Sequence, residues 1–160
     1  MGSGMARLML EKKGLKIVAA VDGRPDYVGK DLGEVLGVDQ TLGVKVTDKP
    51  KKVLDKKEVD IVVLATTSWV KDQMSDLTRI IEAGINCITI AEEMAEPAAQ
   101  SPKMSKKLDK LARKHKVTVL GTGVNPGFVL DLLVAVLSGG NHSVERIEAS
   151  RVNDLSPYGP

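Results

Sequence analysis

Residues 59–68 read Val-Asp-Ile-Val-Val-Leu-Ala-Thr-Thr-Ser, and this stretch decides the fold. The run from Val59 to Ala65 is almost wholly apolar, which predicts a buried strand. Apolar residues then recur at helical spacing, at Val70, Met74, Leu77 and Ile81. Gly84 ends this predicted helix. A strand that leads directly into a helix is the unit from which parallel sheets are built.

The same alternation extends to both sides of this stretch. Further strands are predicted at residues 16–21, 44–46, 86–91 and 117–120. Helices are predicted at residues 5–13, 32–36, 50–56 and from 102 onward, the third of them capped by Asp48. A last helix over residues 127–137 is so apolar that we expect it to be buried on most sides.

Strands that are apolar on both faces and alternate with helices predict an α/β fold, a doubly wound parallel sheet covered by helices. We expect this domain to span residues 1–142. Residues 144–152 alternate weakly between apolar and polar and are interpreted as a strand, so residues 143–160 are expected to begin a second domain, for substrate binding and dimerisation.

Composition excludes several classes of protein. The 160 residues include 42% hydrophobic and 28% charged side chains, as expected for one globular domain with a core. The 23 basic and 21 acidic residues are spread along the chain, so no basic stripe is present to bind nucleic acid. The single cysteine, Cys87, and the absence of a long apolar start favour the cytoplasm over export or a membrane. His115 and His142 have no partners at ligand spacing, so no metal site is predicted.

Polar residues follow the predicted strands, where ligands bind in doubly wound folds. We expect them to gather along one rim of the sheet. They are Asp22, Thr66, Thr67, Ser68, Glu92, Glu93, Thr122 and Asn125.

Asp22 is the candidate for binding an adenosine ribose. An acid about twenty residues beyond a glycine turn accepts hydrogen bonds from the ribose hydroxyls, and Asp22 stands at that distance from Gly2. This favours NAD, whereas Arg24 offers a partner for the 2′-phosphate of NADP. The alternative is an ordinary turn aspartate, because Asp-Gly is a common turn pair.

Gly2 and Ser3 stand at the start of the first helix. If a strand and two further glycines precede Met1, Gly2 is the third glycine of a dinucleotide fingerprint. A pyrophosphate then rests on the positive end of this helix. The alternative is a flexible terminal glycine pair.

Several segments together resemble the 2,4-diaminopentanoate dehydrogenase family, which is related to dihydrodipicolinate reductases and native amine dehydrogenases. The segments are Met1-Gly2-Ser3-Gly4-Met5-Ala6-Arg7, Ala65-Thr66-Thr67-Ser68, Ala91-Glu92-Glu93-Met94, Gly121-Thr122-Gly123-Val124-Asn125-Pro126-Gly127-Phe128 and Arg151-Val152-Asn153-Asp154.

The resemblance implies an enzyme that oxidises the C4 amine of 2,4-diaminopentanoate with NAD or NADP during ornithine degradation. It also implies that the first strand of the sheet is missing before Met1 and that a second domain, which forms a homodimer, continues beyond Pro160. We therefore expect residues 1–160 alone to lack catalysis.

Oxidative deamination needs a group that activates water, and a carboxylate suits this role. Glu93 is our first candidate for this base and Glu92 the second, by analogy with the lysine that related dehydrogenases place after the same strand. The alternative is that both are solvated loop acids. Thr66, Thr67 and Ser68 are expected to line the dinucleotide, although Ser68 and Asn125 also suit the role of helix caps.

Other functions remain open at this point. A dihydrodipicolinate reductase or a homoserine dehydrogenase shares the same cofactor domain. From a different class, a non-catalytic dinucleotide-binding module fits the absence of a second domain, while Glu92 and Glu93 argue against it.

Overall fold

A computed structural model describes residues 1–154 of the chain. The helices are α1 (Gly2–Glu11), α2 (Leu32–Leu36), α3 (Val70–Glu82), α4 (Pro97–Gln100), α5 (Pro102–His115) and α6 (Leu133–Ser138). The strands are β1 (Ala20–Val21), β2 (Val46–Thr47), β3 (Ile61–Leu64), β4 (Asn86–Thr89) and β5 (Val119–Gly121). Short 3-10 turns cover Pro50–Lys52 and Glu92–Ala95, and a π-helical turn at Phe128–Leu132 leads into α6.

All the paired strands are parallel, which confirms the predicted α/β class. They form two sheets, β1-β2 and β3-β4-β5, and within residues 1–154 no strand pairing joins β1 to β3. Ala20 pairs with Val46 in the first sheet, and Cys87 pairs with both Val62 and Val119 in the second. The carboxyl ends of β3, β4 and β5 therefore lie at one edge.

Each sheet has its own hydrophobic cluster. The larger one packs α3 and α5 against the three-stranded sheet and includes the buried residues Leu64, Leu77, Ile81 and Leu108. The smaller one centres on Leu32, Leu36 and Val46, against which Ala6 of α1 packs. Arg7 of α1 also donates from Nε to the carbonyl of Leu36 at 2.8 Å, which ties α1 to the end of α2.

Local signals set the bounds of α2 as predicted. The Asp31 carboxylate accepts the backbone N–H of Gly33 at 2.8 Å and that of Leu42 at 2.9 Å. It therefore caps the helix and also fixes the loop that follows it. The helix ends at Gly37, whose φ of 66° lies in the left-handed region that favours glycine.

Three predictions in the first third of the chain need correction. Of residues 16–21 only Ala20–Val21 pair as a strand. The second strand begins at Val46 rather than Val44. The helix expected at residues 50–56 is a single 3-10 turn preceded by Lys49, and Asp48 does not cap it. Its sequence lacks an apolar stripe and places lysines at i and i+4, which disfavours a longer helix.

The last predicted helix is also different in the structure. The turn before it contains a cis peptide bond between Asn125 and Pro126, and the cap position is occupied by Gly127 instead of Asn125. The helix is not buried: Val136 is 65% exposed and Leu137 is 68% exposed. Within residues 1–154 no helix or strand covers the outer face of α6. The apolar composition of this helix was therefore not sufficient to predict that it is buried.

The predicted strand at residues 144–152 is likewise absent. The described part of this segment has no regular secondary structure. A strand requires a neighbouring strand to satisfy its backbone groups, and none lies beside this segment up to residue 154. No helix described in the chain has both the length and the apolar character needed to span a membrane.

Candidate functional site

The loop after β4 is bonded to the loop after β3 through Glu93. The backbone N–H of Glu93 donates to the carbonyl of Ser68 at 3.2 Å. Its carboxylate Oε2 accepts the backbone N–H of Val70, the first residue of α3, at 2.8 Å. Trp69, at the cap position, has no capping side chain. Glu93 therefore caps α3 from another loop, and the interpretation of Ser68 as the cap is wrong.

The two adjacent acids have different environments. Glu93 is partly buried, whereas Glu92 is exposed. Among the described residues the second carboxylate oxygen of Glu93, Oε1, has no hydrogen-bond partner, since only Oε2 reaches Val70. One oxygen thus has a structural role while the other is free to bind water or substrate.

A buried polar pair lies directly beneath these loops. Gln73 and Thr89 are both 0% exposed. The Thr89 hydroxyl donates to Oε1 of Gln73 at 2.7 Å, and Nε2 of Gln73 donates to the carbonyl of Thr67 at 3.1 Å. Sequence reasoning missed both residues. The available signal was that Gln73 falls on the helix face otherwise formed by buried apolar residues such as Val70 and Leu77.

The three hydroxyl residues after β3 are not equivalent. Thr66 is exposed, while Thr67 and Ser68 are partly buried. The Thr67 hydroxyl accepts the N–H of Trp69 at 3.5 Å, and its carbonyl accepts from Gln73. The loop backbone is therefore held at Thr67 by bonds with Trp69 and Gln73. Thr66, by contrast, faces solvent.

The start of α1 lies beside the carboxyl end of β3. A Cβ on Gly2 would stand 3.9 Å from Cβ of Ala65, so the helix and the strand approach closely at this point. Helix starts leave backbone N–H groups without intrahelical partners, and the first turn of α1 contains no acid. Gly2 and the partly buried Ser3 thus offer an end with positive electrostatic potential that accommodates an anion.

Asp22 and Arg24 form a close ion pair after β1. Asp22 Oδ1 accepts the Arg24 backbone N–H at 2.9 Å, and its Oδ2 lies 2.7 Å from Arg24 Nη2. These bonds from Arg24 hold the pKa of the Asp22 carboxyl below its usual value. The guanidinium carbon of Arg24 also lies 3.8 Å from the ring centre of Tyr27. Cationic and anionic groups are therefore presented together at the end of β1.

The turn after β5 is packed against the same loops. The N–H of Thr122 donates to the carbonyl of Thr89 at 2.9 Å. A Cβ on Gly121 would lie 1.9 Å from the carbonyl oxygen of Met94, so glycine is required there. Asn125 is partly buried, and its side chain has no hydrogen bond to any other described residue. Its amide therefore remains available to a ligand.

The structure thus brings together only part of the predicted rim. Thr67, Ser68, Glu93 and Thr122 are linked by hydrogen bonds or through shared partners, and Gly2 lies next to them through Ala65. Asp22 and Arg24 stand on the other sheet, and no hydrogen bond or ion pair among residues 1–154 connects them to this group. The same residues contain no group of three or more His, Cys, Asp or Glu side chains placed to hold a metal ion.

Parallel strands, covering helices and polar loops at the carboxyl ends define a Rossmann-type NAD(P)-binding α/β domain. A family model described as the N-terminus of dihydrodipicolinate reductase matches residues 1–89. The chain therefore belongs to the dihydrodipicolinate reductase N-terminal domain family. A second model, the C-terminal domain of 2,4-diaminopentanoate dehydrogenase, matches residues 128–160.

Individual relatives support the resemblance. The chain is 40% identical over its whole length to 2,4-diaminopentanoate dehydrogenase of Acetoanaerobium sticklandii, of which it covers 45%. It is 26% identical to amine dehydrogenase of Streptomyces virginiae, over 90% of this chain and 41% of that protein. The solved amine dehydrogenase of Mycobacterium smegmatis matches 91% of the chain with a TM-score of 0.83 and 38% identity, over 42% of its own length. The chain thus spans less than half the length of these relatives.

Proposed function

We propose that this chain is the cofactor-binding part of an NAD(P)-dependent dehydrogenase that oxidatively deaminates a small amine or diamino acid such as 2,4-diaminopentanoate. One observation carries the proposal: the start of α1 meets the carboxyl end of β3, whose loop is bonded through Glu93 to the loop after β4. An anion-binding helix end and a carboxylate are thereby brought to neighbouring positions. The similarity to named amine dehydrogenases supports this reaction over a reductase, a homoserine dehydrogenase or a non-catalytic module.

The residues present fit a dinucleotide. The first turn of α1, with Gly2 and Ser3, provides free backbone N–H groups for a pyrophosphate. Asp22 suits the ribose hydroxyls of NAD, and Arg24 suits the 2′-phosphate of NADP. The remaining contacts are assigned to Thr66, Thr67, Ser68 and Asn125. Both cofactors are consistent with this set.

Glu93 is the proposed base and Glu92 its less favoured alternative. When bound, the nicotinamide accepts a hydride from the carbon that carries the amine. The partly buried Glu93 is positioned through Oε2, so Oε1 is left to take a proton from the water that attacks the resulting iminium carbon, after which the nitrogen leaves as ammonia. Glu92 is exposed and is not held in this way. We therefore assign the proton transfer to Glu93.

Dinucleotide binding is the first test. The chain is titrated with NADH and with NADPH while the fluorescence of the reduced nicotinamide is followed. Weak, saturable binding of either cofactor is expected, and ADP is expected to compete with it. No binding of either cofactor to a folded chain contradicts the proposal.

The reaction itself is tested in a chimera. Residues 1–160 replace the corresponding part of 2,4-diaminopentanoate dehydrogenase from Acetoanaerobium sticklandii, to which they align along their whole length. We expect reduction of NAD or NADP with 2,4-diaminopentanoate or another diamino acid from a panel. A chimera that folds and binds cofactor but oxidises no amine in the panel excludes this function for the chain.

The two acids are separated by matched variants of the same chimera. Glu93→Gln retains an acceptor for Val70 and removes the base, so we expect a loss of kcat of about a hundredfold or more. Glu92→Gln is expected to leave kcat within about threefold. The reverse order assigns the base to Glu92.

The domain arrangement belongs to the same proposal. We assign residues 1–142 to the cofactor domain and residues 143–160 to the start of a substrate and dimerisation domain, in a homodimeric cytoplasmic enzyme that binds neither nucleic acid nor membrane. The match of residues 128–160 to a C-terminal domain model and the exposed apolar surface of α6 support a second domain in this region. Light scattering of the chimera tests the dimer.

A further inference from the structure

We infer that Gln73 and Thr89 form a buried positioning pair that sets the nicotinamide half of the cofactor site, an inference that rests on the proposed function. Neither side chain reaches the crevice, since both are 0% exposed. They act through the backbone of the two loops that follow β3 and β4. They are positioning residues, not catalytic ones.

Gln73 and Thr89 occupy buried positions where an apolar side chain would need no hydrogen-bond partner. Gln73 lies on the face of α3 that packs into the large hydrophobic cluster, next to Val70 and Leu77. A buried amide is destabilising unless it is hydrogen bonded, and an apolar side chain would avoid this penalty. Here both side chains are hydrogen bonded to each other, so removing either one leaves a buried polar group of the other without its partner.

The hydrogen bonds of this pair have a fixed direction. The Thr67 carbonyl only accepts, so it must face Nε2 of Gln73, and Oε1 is turned toward Thr89. The Thr89 hydroxyl donates to this oxygen and accepts the backbone N–H of Ala91 at 3.2 Å. An unbroken chain of hydrogen bonds thus runs from the backbone of one loop, through two side chains, to the backbone of the other.

The place of the pair in the fold indicates which half of the proposed cofactor site it affects. Gly2, at the proposed pyrophosphate position, adjoins β3, while Asp22 and Arg24 belong to the other sheet. With the adenosine on the side of Asp22, the loops after β3 and β4 lie on the side of the nicotinamide. Glu93 is on the second of these loops, and its bonds to Ser68 and Val70 depend on the same loop spacing.

The test compares the affinities for NADH and ADP in the chain and its variants. Thr89→Val keeps the shape of the side chain but removes the hydroxyl, and Gln73→Leu removes the amide. Each is expected to raise the Kd for NADH about tenfold, the effect of losing one well-placed interaction. The Kd for ADP should stay within about twofold, because ADP binds on the side of Asp22.

Two further variants separate positioning from general stability. Thr89→Ser restores a hydroxyl and should bring the Kd for NADH back to within about threefold of the unaltered chain. Cys87→Ala alters the same strand at another buried position, two residues earlier, without touching either loop. We expect it to lower the Tm and leave the Kd for NADH unchanged.

The outcomes distinguish the two proposals. If the unaltered chain binds NADH, and Thr89→Val and Gln73→Leu weaken NADH no more than Cys87→Ala does, the positioning role is overturned while the proposed function stands. An equal loss of NADH and ADP affinity also overturns it. If the unaltered folded chain binds no dinucleotide, the proposed function is wrong. The positioning role, which rests on that function, is then wrong as well. Should either variant not fold, Thr89→Ala or Gln73→Met, which likewise removes the hydroxyl or the amide, is compared in its place.

Discussion

The carboxylate of Glu93 accepts the backbone N–H of Val70 at 2.8 Å, although 23 positions separate the two residues in sequence. A residue proposed as a base therefore also caps a helix. Its negative charge lies at the end of α3 where backbone N–H groups converge, which is a favourable position for a carboxylate. The proposed chemistry and the stability of α3 thus involve the same side chain.

Replacing Glu93 should separate these two roles in unfolding experiments. Glu93→Ala removes the cap and is expected to lower the free energy of unfolding by about 1 kcal/mol. Glu93→Gln keeps an acceptor oxygen and loses only the charge, so its cost should be about 0.3–1 kcal/mol. Urea denaturation at neutral pH measures both values. A glutamine variant less stable than the alanine variant would show that the contact with Val70 is not a cap.

The pKa of Asp22 should respond to Arg24. Arg24→Gln removes the guanidinium that lowers this pKa, so the value is expected to rise toward the ordinary 3.8. Carboxyl carbon NMR across a pH titration gives the value directly. Arg113→Gln is the control, because Arg113 pairs with Asp109 instead. No change in the Asp22 pKa in the Arg24 variant would mean that the pair does not persist in solution.

The same pair predicts the direction of a stability change with pH. Because the pKa of Asp22 is lower in the folded chain than in the unfolded chain, the pair stabilises the fold at pH values above the unfolded pKa, about 4. This contribution is lost as the pH falls through the folded pKa. The difference in unfolding free energy between the chain and Arg24→Gln should therefore be larger at pH 7 than at pH 3.

Gly121 should not tolerate a side chain. A Cβ at this position would lie 1.9 Å from the carbonyl oxygen of Met94, so the backbone would have to move. Gly121→Ala is expected to cost about 1–3 kcal/mol of stability. Gly4→Ala is a matched control, because a Cβ there meets nothing within 4 Å and lies in α1. It should stabilise the chain by about 0.5–1 kcal/mol. Similar effects of the two changes would contradict the close packing at Gly121.

The apolar surface of α6 should contribute little to folding of the chain. Val136 and Leu137 are more than half exposed, so Val136→Lys and Leu137→Lys are expected to change stability by no more than about 0.5 kcal/mol. Leu77→Ala, at a position that is 0% exposed, should cost about 2–5 kcal/mol. Thermal or urea unfolding compares the three. A large loss in either lysine variant would place α6 in a core.

Elements governed by neighbouring residues could be predicted from the sequence. The apolar run before Thr66 and the helical spacing after it located β3 and α3, and α2 lies at residues 32–36 as expected. These features depend on capping, turn chemistry and periodicity, all of which operate over a few residues. The parallel class followed from their alternation.

Contacts between distant residues could not be predicted in this way. Nothing in the order of residues indicates that Glu93 reaches Val70, or that Thr89 selects Gln73 as its partner. The error at α6 has a related cause. Apolar residues such as Leu137 show that burying the helix surface would be favourable, but they do not identify the element that packs against it.

The division into two hydrophobic clusters has a consequence for local unfolding of the chain. The smaller cluster, with Leu32, Leu36 and Val46 at its centre, buries far less apolar surface than the one around α3. Local unfolding proceeds through cooperative units of unequal free energy. Amide protons of β1 and α2 should therefore exchange with deuterium well before those of β4. The loop with Asp22 would lose its shape in an otherwise intact molecule, and the adenosine contact proposed for Asp22 would be lost while Glu93 stayed in place.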